Sequence, residues 1–346
     1  MDADTNGGRG NGASSDAKPA HARCDIVVVG ASWGGVETLR QLVSALPPDL
    51  SASLFVVLHL SPESRSRLPE LLTRAGPLRA CKPRENEPIR PGVIYVAPPD
   101  RHMLLERGTI RLSSAARENR CRPAIDPLFR SAARVYGPRV AGVVLTGAQD
   151  DGTAGLLRVK ATGGVTIVQD PAEAFCPDMP RSALARVEVD YCLPVAAIAT
   201  TLVALASAPA AVAEATVPGA RMREMDLEDE RPSPFTCPDC HGMTWMKDGE
   251  VVEFRCRVGH RYSQESMVEA QTDAVERAQW AALRALEEKA ELHRRLAARR
   301  RDRSHTRFAE SARAAEEQVR TLRAALVGSA ARDAAGAESS EKMSEP

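Results

Sequence analysis

Between residues 24 and 207 the chain alternates six short apolar runs with stretches of helical periodicity. The runs are continuous in valine, isoleucine and leucine, which is typical of parallel strands buried on both faces. This alternation predicts a doubly wound α/β domain with a mostly parallel sheet. The predicted strands are Asp25–Val29, Leu54–Leu58, Val93–Val96, Val140–Leu145, Val165–Val168 and Val189–Leu193. The predicted helices lie near Val36–Leu46, Arg67–Arg74, Pro127–Val135, Ala154–Lys160, Arg181–Arg186 and Val195–Leu205, and Val93–Leu112 is interpreted as containing a small antiparallel insert.

The rest of the chain differs in composition from this domain. Residues 1–23 are rich in small and polar residues and are predicted to be a disordered tail. An Ala-Pro stretch and an acidic run predict a linker over 208–235, followed by a metal-binding module over 236–263. From Gln264 to Leu326 the chain contains neither proline nor glycine and is dense in Ala, Glu, Arg and Leu. This composition predicts one long helix or a helical hairpin over 264–327, with a break near Ser304. Residues 328–346 are predicted to be a second disordered tail.

Charge and hydropathy exclude some classes of function. Forty-six Lys and Arg residues balance 46 Asp and Glu residues, so the basic excess that is typical of nucleic-acid-binding proteins is missing. No apolar run approaches the ~20 residues that a membrane-spanning helix needs. The first twenty residues lack the apolar core of a secretory signal. We therefore expect a cytoplasmic protein that neither binds nucleic acid nor inserts into a membrane.

The first predicted strand leads directly into Gly30-Ala31-Ser32-Trp33-Gly34-Gly35 and then into a helix. A serine at the tip of such a turn, flanked by glycines, is typical of a nucleophile elbow. A dinucleotide-binding turn would instead have glycine at position 32 and an acidic residue at the end of the next strand, where His59 stands. The pattern therefore favours a serine nucleophile.

A serine nucleophile needs a base and a group that orients the base. His59 ends the second predicted strand, and the carboxyl ends of parallel strands meet in one crevice. The strand Val140–Leu145 is followed by two aspartates, Asp150 and Asp151. Either carboxylate can complete the set, and the spacing does not choose between them.

Six motifs occur in one order over residues 25–205: GASWGG, the strand that ends in His59, APPDRHMLL, RPAIDPLFRSAA, VVLTGAQDDGTAGL and DMPRSAL. In this respect the chain resembles the catalytic domain of the chemotaxis protein-glutamate methylesterases (CheB). The resemblance assigns the nucleophile to Ser32, the general base to His59 and the orienting carboxylate to Asp151, without a cofactor. It makes residues 24–207 a methylesterase catalytic domain. It also implies hydrolysis of glutamate γ-methyl esters, and deamidation of glutamines, on the cytoplasmic helices of chemoreceptors.

The sequence departs from the family pattern close to the expected oxyanion region. Trp33 replaces the threonine that usually follows the serine, while Ala148 and Gln149 replace a methionine and a glycine. Asp178 stands where the family has a glycine. The family's N-terminal receiver domain is expected to be absent, so that regulation would come from a partner or from the C-terminal region. The departures leave two alternatives open, a catalytically impaired scaffold protein and a serine hydrolase retargeted to another ester or amide.

Cys237 and Cys240, a fifteen-residue spacer, and then Cys256 and His260 supply four ligands of the kind that tetrahedral zinc prefers. Asp248-Gly249 lies between two β-like runs in the spacer and predicts a hairpin that brings the two pairs together. Because the protein fills all four positions, we expect a structural zinc site, with His241 as a less well placed fourth ligand.

The helical region has mixed charge and an incomplete apolar stripe. We interpret it as an antiparallel hairpin that packs on itself or on the metal-binding module. The alternative is a surface for self-association or for a partner, such as the helical bundle of a receptor. The zinc module followed by a long helix also resembles C-terminal extensions of some methylesterase-like proteins.

Overall fold

The structure, a computed structural model, describes residues 23–59, 66–209, 230–299 and 303–342. Nearly all of the expected N-terminal tail lies outside these residues, as does most of the expected linker. The chain divides into two compact units, Met1–Asp229 and Glu230–Pro346. No helix within the described ranges combines the length and the apolar composition that crossing a membrane requires.

The first unit is built on a seven-stranded sheet in which every pair of neighbouring strands is parallel. Its strands in chain order are β1 (Ile26–Ala31), β2 (Ser53–Leu58), β3 (Arg79–Cys81), β5 (Val93–Val96), β8 (Val140–Val144), β9 (Val165–Gln169) and β10 (Tyr191–Leu193). Their order across the sheet is β10-β9-β8-β1-β2-β5-β3. The predicted doubly wound, mostly parallel fold is therefore confirmed, although the short edge strand β3 was not predicted.

Helices cover both faces of this sheet, which explains why its strands are apolar without alternation. Along β1, Val27 and Val29 belong to one apolar layer, and Ile26 and Val28 belong to the other. The helices are α1 (Gly35–Ser44), α2 (Leu68–Ala75), α3 (Ile125–Tyr136), α4 (Thr153–Ala161), α5 (Asp178–Arg186) and α6 (Val195–Ser207). Helices α1, α2 and α6 contribute to the first layer, and α3, α4 and α5 contribute to the second.

The antiparallel insert is smaller than expected. It consists of β4 (Glu87–Pro88), β6 (His102–Glu106) and β7 (Thr109–Ser113), in the order β4-β7-β6. Strand β5, which the expected Val93–Leu112 insert included, pairs in parallel with β2 in the main sheet. The expectation was wrong there because Tyr95 and its neighbours are buried on both faces, as in the other central strands.

The chain order of the main sheet reverses at β1. Strands β2, β5 and β3 lie on one side of β1, whereas β8, β9 and β10 lie on the other. In open parallel sheets, ligands bind in the crevice at the carboxyl ends of the strands at such a reversal. The loops that follow β1 and β8 meet His59, the residue directly after β2, at this place.

The second unit begins with a four-stranded antiparallel sheet in the order β11-β12-β13-β14. The strands are β11 (Glu230–Thr236), β12 (Met243–Lys247), β13 (Glu253–Cys256) and β14 (Arg261–Ser263). The predicted hairpin around Asp248-Gly249 is confirmed, since Lys247 pairs with Glu253. The expected linker boundary at residue 235 is wrong: residues 230–235 belong to β11, an edge strand, where prolines are tolerated because one side of the strand needs no ladder hydrogen bonds.

Two long helices complete the second unit, α7 (Gln264–Arg299) and α8 (Arg303–Lys342). They are antiparallel neighbours, with Arg294 bonded to Glu316 over 2.6 Å and Arg323 paired with Glu287. Apolar residues near the start of α7 also pack against the small sheet. The structure thus has the hairpin packed on itself and on the metal-binding module, and a role in binding a partner stays a prediction. The expected disordered tail over 328–346 is instead helical up to Lys342, where α8 continues through a stretch with several alanines and no proline.

Candidate active site and metal centre

Three of the predicted site residues meet at the carboxyl ends of adjacent strands. Ser32 follows β1, His59 follows β2, and Asp151 lies in the loop between β8 and α4. His59 Nδ1 lies 3.1 Å from Ser32 Oγ, and His59 Nε2 lies 2.7 Å from Asp151 Oδ2. A proton on Nε2 that is donated to the carboxylate leaves the Nδ1 lone pair facing the serine hydroxyl. This is the arrangement that general-base activation of a serine requires.

Asp151 is held by donors on several sides and is only 3% exposed. Besides the bond from His59, its oxygens accept hydrogen bonds from Asn119 Nδ2 (2.9 Å) and from the backbone N–H groups of Ile125 (2.7 Å) and Asp126 (3.3 Å). Both N–H groups belong to the first turn of α3, where the helix dipole favours a negative charge. Burial raises the pKa of Asp151, but these hydrogen bonds lower it by more. The pKa of this carboxyl group therefore lies well below its usual range, and the group is ionised.

The pKa of His59 is shifted in the opposite direction, upward. Burial lowers the pKa of the imidazole, but the hydrogen bonds with Asp151 and with the thiol of Cys121 raise it by more. The pKa of His59 therefore lies above its ordinary value. A raised pKa makes the imidazole a stronger base, while a larger fraction of it is protonated at neutral pH.

A second buried carboxylate supports the loop that carries Asp151. Asp126 accepts hydrogen bonds from the backbone N–H groups of Gly152 (3.1 Å) and Gly155 (2.6 Å). The amide of Asn119 donates to Asp126 (2.9 Å) as well as to Asp151. Sequence reasoning missed Asn119, Asp126 and Cys121. The only signal was their place in the segment that contains the RPAIDPLFRSAA motif.

The backbone around Ser32 is closely packed. Gly34 has φ of 78°, in the left-handed region that favours glycine. A Cβ on Gly147 would lie 2.7 Å from Ser32 Cβ and 2.1 Å from Met179 Sδ, so only glycine fits beside the serine. The N–H of Ser32 also donates to the carbonyl of Thr146 (2.9 Å). The loops after β1 and β8 are thus joined at Ser32, as the predicted elbow requires.

The residues that depart from the family pattern lie around this junction. Trp33 follows Ser32, and its side chain is 65% exposed. Ala148 follows Gly147 on the other side of the serine. Gln149 has φ of 65°, a left-handed conformation that costs an L-residue about 1–2 kcal/mol and explains why a glycine suits this position. Asp178 begins α5 and faces the thiol of Cys176 over 3.7 Å.

In the second unit the four predicted metal ligands converge. The ligand atoms of Cys237, Cys240, Cys256 and His260 all lie within 4.8 Å of one another. The sulfur atoms of Cys240 and Cys256 are 3.6 Å apart, and His260 Nδ1 lies 3.6 Å from Cys237 Sγ and 3.5 Å from Cys256 Sγ. A tetrahedral zinc ion with bonds of about 2.3 Å to sulfur and 2.0–2.1 Å to nitrogen needs ligand separations of about 3.5–3.8 Å. The cluster fits a metal ion of this kind, and His241 is not part of it.

Tight turns and a carboxylate support the cluster. The N–H of Cys237 donates to the carbonyl of Gly242 (2.8 Å), and the N–H of Cys256 donates to the carbonyl of His260 (3.0 Å). Asp239 Oδ2 lies 3.8 Å from Nε2 of His260 and accepts a 2.7 Å hydrogen bond from the hydroxyl of Tyr262. A carboxylate at the outer nitrogen of a ligating histidine orients the ring toward a metal ion.

Comparison with known proteins places the first unit in a family. The profile of the CheB methylesterase family matches residues 27–202. "Protein-glutamate methylesterase/protein-glutamine glutaminase 2" of Anaeromyxobacter dehalogenans is 41% identical over 181 residues, 52% of this chain and 53% of that protein. A Leptospira interrogans protein named for the same two activities is 36% identical over 182 residues, 52% of this chain and 94% of that protein.

A solved structure of the same family is also similar to this chain. The crystal structure of the Thermotoga maritima CheB methylesterase catalytic domain has a TM-score of 0.51 and 32% sequence identity to this chain. It covers 53% of this chain, and the match includes 98% of the solved domain. This chain spans only about half the length of the Anaeromyxobacter relative. On the strength of the profile match and the Leptospira relative, the chain belongs to the CheB methylesterase family.

Proposed function

We propose that this protein is a protein-glutamate methylesterase that hydrolyses the γ-methyl esters of glutamate residues on the cytoplasmic helices of chemoreceptors. The observation that carries the proposal is the hydrogen-bonded row from Ser32 through His59 to Asp151 at the sheet's reversal point. The names of the relatives from Anaeromyxobacter and Leptospira support the choice of substrate. The same names support deamidation of glutamine as a second reaction of the same site.

The proposed reaction begins with attack of Ser32 Oγ on the ester carbonyl while His59 Nδ1 takes the hydroxyl proton. Asp151 keeps the other ring nitrogen protonated and stabilises the imidazolium cation. The tetrahedral intermediate then collapses, and the imidazolium returns its proton to the methoxide, which leaves as methanol. Water, deprotonated by His59, next cleaves the glutamyl ester of Ser32 and restores the free hydroxyl and a glutamate carboxylate.

The negative oxygen of the intermediate needs hydrogen-bond donors. In a nucleophile elbow the N–H of the residue after the serine is one of them, and here that residue is Trp33. We assign the second donor to the N–H of Ala148, because the adjoining Gly147 packs directly against Ser32. Both donors are backbone groups, so the replacements of the usual threonine and methionine keep them. Losing one such donor costs other hydrolases about 2.7–4 kcal/mol of transition-state stabilisation.

The experiment that tests this proposal is methanol release from a methylated chemoreceptor cytoplasmic fragment. The variant Ser32→Ala is expected to lose release, since the nucleophile is gone. Ser44→Ala is the matched control, because Ser44 is exposed on α1 and its hydroxyl donates to the carbonyl of Gln41 in the same helix. Absence of release from folded wild-type protein, or undiminished release from Ser32→Ala, contradicts the proposal. Release of ammonia from a glutamine-containing fragment tests the deamidation in the same way.

We also infer that the second unit holds a structural zinc ion bound by Cys237, Cys240, Cys256 and His260. Four protein ligands leave no open position for water, so the ion would stabilise the small sheet rather than take part in hydrolysis. The apolar core around the cluster is small and includes two of the ligands themselves, Cys237 and Cys256. Removal of the ion is therefore expected to unfold this part of the chain.

Metal analysis and circular dichroism of the full chain test this inference. Wild type is expected to carry one zinc ion per chain and Cys240→Ser none, with loss of ellipticity on chelation in the wild type. Cys192→Ser is the control, because Cys192 is an exposed free thiol in the first unit. Purified protein without metal that neither binds added zinc nor changes its ellipticity would overturn the inference.

A further inference from the structure

An exposed pair of aromatic rings lies beside Ser32. Trp33 and Phe175 are 65% and 69% exposed, and their ring centroids are 5.5 Å apart at an interplanar angle of 75°. This edge-to-face contact is favourable, but it leaves most of both rings in water. Neither ring belongs to the apolar layers of the fold. The pair therefore costs solvation free energy in the free protein, and covering it with an apolar group would recover that free energy.

The two rings are carried on one rigid frame. The hydroxyl of Thr146 donates to the carbonyl of Trp33 (2.9 Å) and accepts from the N–H of Cys176 (2.8 Å), which follows Phe175. The N–H of Gly147 donates to the carbonyl of Cys176 (3.0 Å). A Cβ on Gly34 would lie 2.6 Å from Phe175 Cβ, so the two loops touch beneath the rings. A surface held in this way needs little ordering when a ligand covers it.

We propose that the Trp33–Phe175 pair selects substrates in which an apolar side chain lies one helical turn from the glutamyl ester. The proposal rests on the proposed methylesterase function and specifies its substrate. Trp33 follows Ser32 in the chain, and Gly147, which packs against Ser32 Cβ, is bonded to Cys176 beside Phe175, so we place the neighbouring turn of a substrate helix at Ser32 over the two rings. Side chains three or four residues apart on a helix have Cβ atoms about 5–6 Å apart, so the neighbour of the ester reaches the pair.

The chemistry of the pair determines which neighbour fits. An aliphatic side chain is dehydrated against both rings at no polar cost. A serine at the same place offers almost no apolar area, and its hydroxyl gives up water for at most the one N–H that the indole carries. The partner surface is thus the apolar edge of an amphipathic helix whose methylated glutamates stand beside it.

The test compares two receptor-derived helical fragments that carry the same γ-methyl glutamate. One fragment has leucine, and the other serine, four residues from the ester. For the wild type we expect kcat/KM for the leucine fragment to exceed that for the serine fragment about tenfold, as for the loss of a small apolar group from a binding surface. Phe175→Ser and Trp33→Ala are expected to bring the ratio close to one. Phe175→Tyr keeps the ring and should keep the ratio.

Leu71→Ser is the matched control, since Leu71 is an exposed apolar residue on α2 and its loss should leave the ratio unchanged. A wild-type ratio of one, or a tenfold ratio that persists in both Phe175→Ser and Trp33→Ala, overturns this inference while the methylesterase function stands. If the wild type cleaves neither fragment, the proposed function itself fails. Using a ratio separates selectivity from any change in the rate of the chemical step.

Discussion

Replacing Asp151 by asparagine tests the arrangement of the site most directly, because every partner of this carboxylate is a donor. Oδ2 accepts from His59 Nε2 and the N–H of Ile125, both at 2.7 Å, and Oδ1 accepts from Asn119 Nδ2 and the N–H of Asp126. An asparagine side chain must direct its NH₂ group at one of these two pairs of donors. No orientation of the amide satisfies all four.

The two orientations have different costs. If the NH₂ group faces His59, the ring must accept there and carry its proton on Nδ1, where it can no longer take the proton of Ser32. If it faces Asn119, the tautomer survives but the charge that stabilises the imidazolium is lost. Each buried donor left without an acceptor costs about 1–3 kcal/mol of folding stability. For activity we expect a loss of about 10⁴-fold, or about 5 kcal/mol, as in a Ser-His-Asp protease with the same change.

Asp150→Asn is the matched control, since Asp150 is the adjacent buried aspartate that the spacing alone could not distinguish from Asp151. Initial rates of methanol release from a methylated receptor fragment, together with urea unfolding followed by circular dichroism, separate the effect on catalysis from that on stability. We expect Asp150→Asn to lose less than tenfold in kcat/KM. Similar losses of activity in the two variants, or an Asp151→Asn variant that keeps more than a tenth of the wild-type rate, would contradict the role assigned to Asp151.

The other predictions concern the base, the packing at the serine and the metal cluster. The base must be neutral to accept a proton, so kcat/KM of the wild type should rise with pH and reach half its maximum above pH 6.5, because the pKa of His59 is raised; a midpoint below that value contradicts the assigned environment. Gly147→Ala should lower kcat/KM at least 100-fold and destabilise the first unit by about 1–3 kcal/mol, because the new methyl group overlaps Met179; an active variant with wild-type urea midpoint would show that the loop gives way. Asp239→Asn should weaken zinc binding about tenfold in a competition with a chromogenic chelator, since Asp239 orients His260, and unchanged affinity would remove it from that role.

The sequence was most informative where one pattern extended over a whole element. Continuous apolar runs predicted β1, β2, β5, β8 and β9, because strands buried on both faces cannot alternate in polarity. Short edge strands have no such pattern: Arg79–Cys81 has one buried residue, and Glu87–Pro88 has none. Their pairing depends on neighbours distant in the chain, so local composition does not indicate it. The start of β11 could not be predicted for the same reason. Pro232 and Pro234 are typical of a linker, and they are compatible with a strand only because β11 lies at the edge of its sheet.

For the site, the sequence indicated the residues at the ends of strands but not those that support them. Ser32 and His59 could be predicted because parallel strands end at a common edge. Choosing Asp151 over Asp150 took the family resemblance, and the hydrogen bond to His59 is a fact of tertiary structure. Asn119 has φ of 48° and donates to two carboxylates that are distant from each other in the chain, Asp126 at the start of α3 and Asp151 in the loop after β8. No periodicity or spacing marks a residue whose partners come together only after folding.

The departures from the family pattern differ in what they can change. A backbone N–H is present at every residue except proline, so Trp33 and Ala148, the two proposed oxyanion donors, keep the N–H groups that threonine and methionine would have. Gln149 occupies a left-handed position at a cost in stability, yet Asp151 two residues later still reaches His59. The replacement that alters the surface is Trp33, whose ring is mostly exposed to solvent and contacts the ring of Phe175 edge to face. A scaffold protein without activity would have no need of the aligned serine, histidine and aspartate, so under the proposed function we expect these changes to alter which helix is bound rather than whether the ester is cleaved.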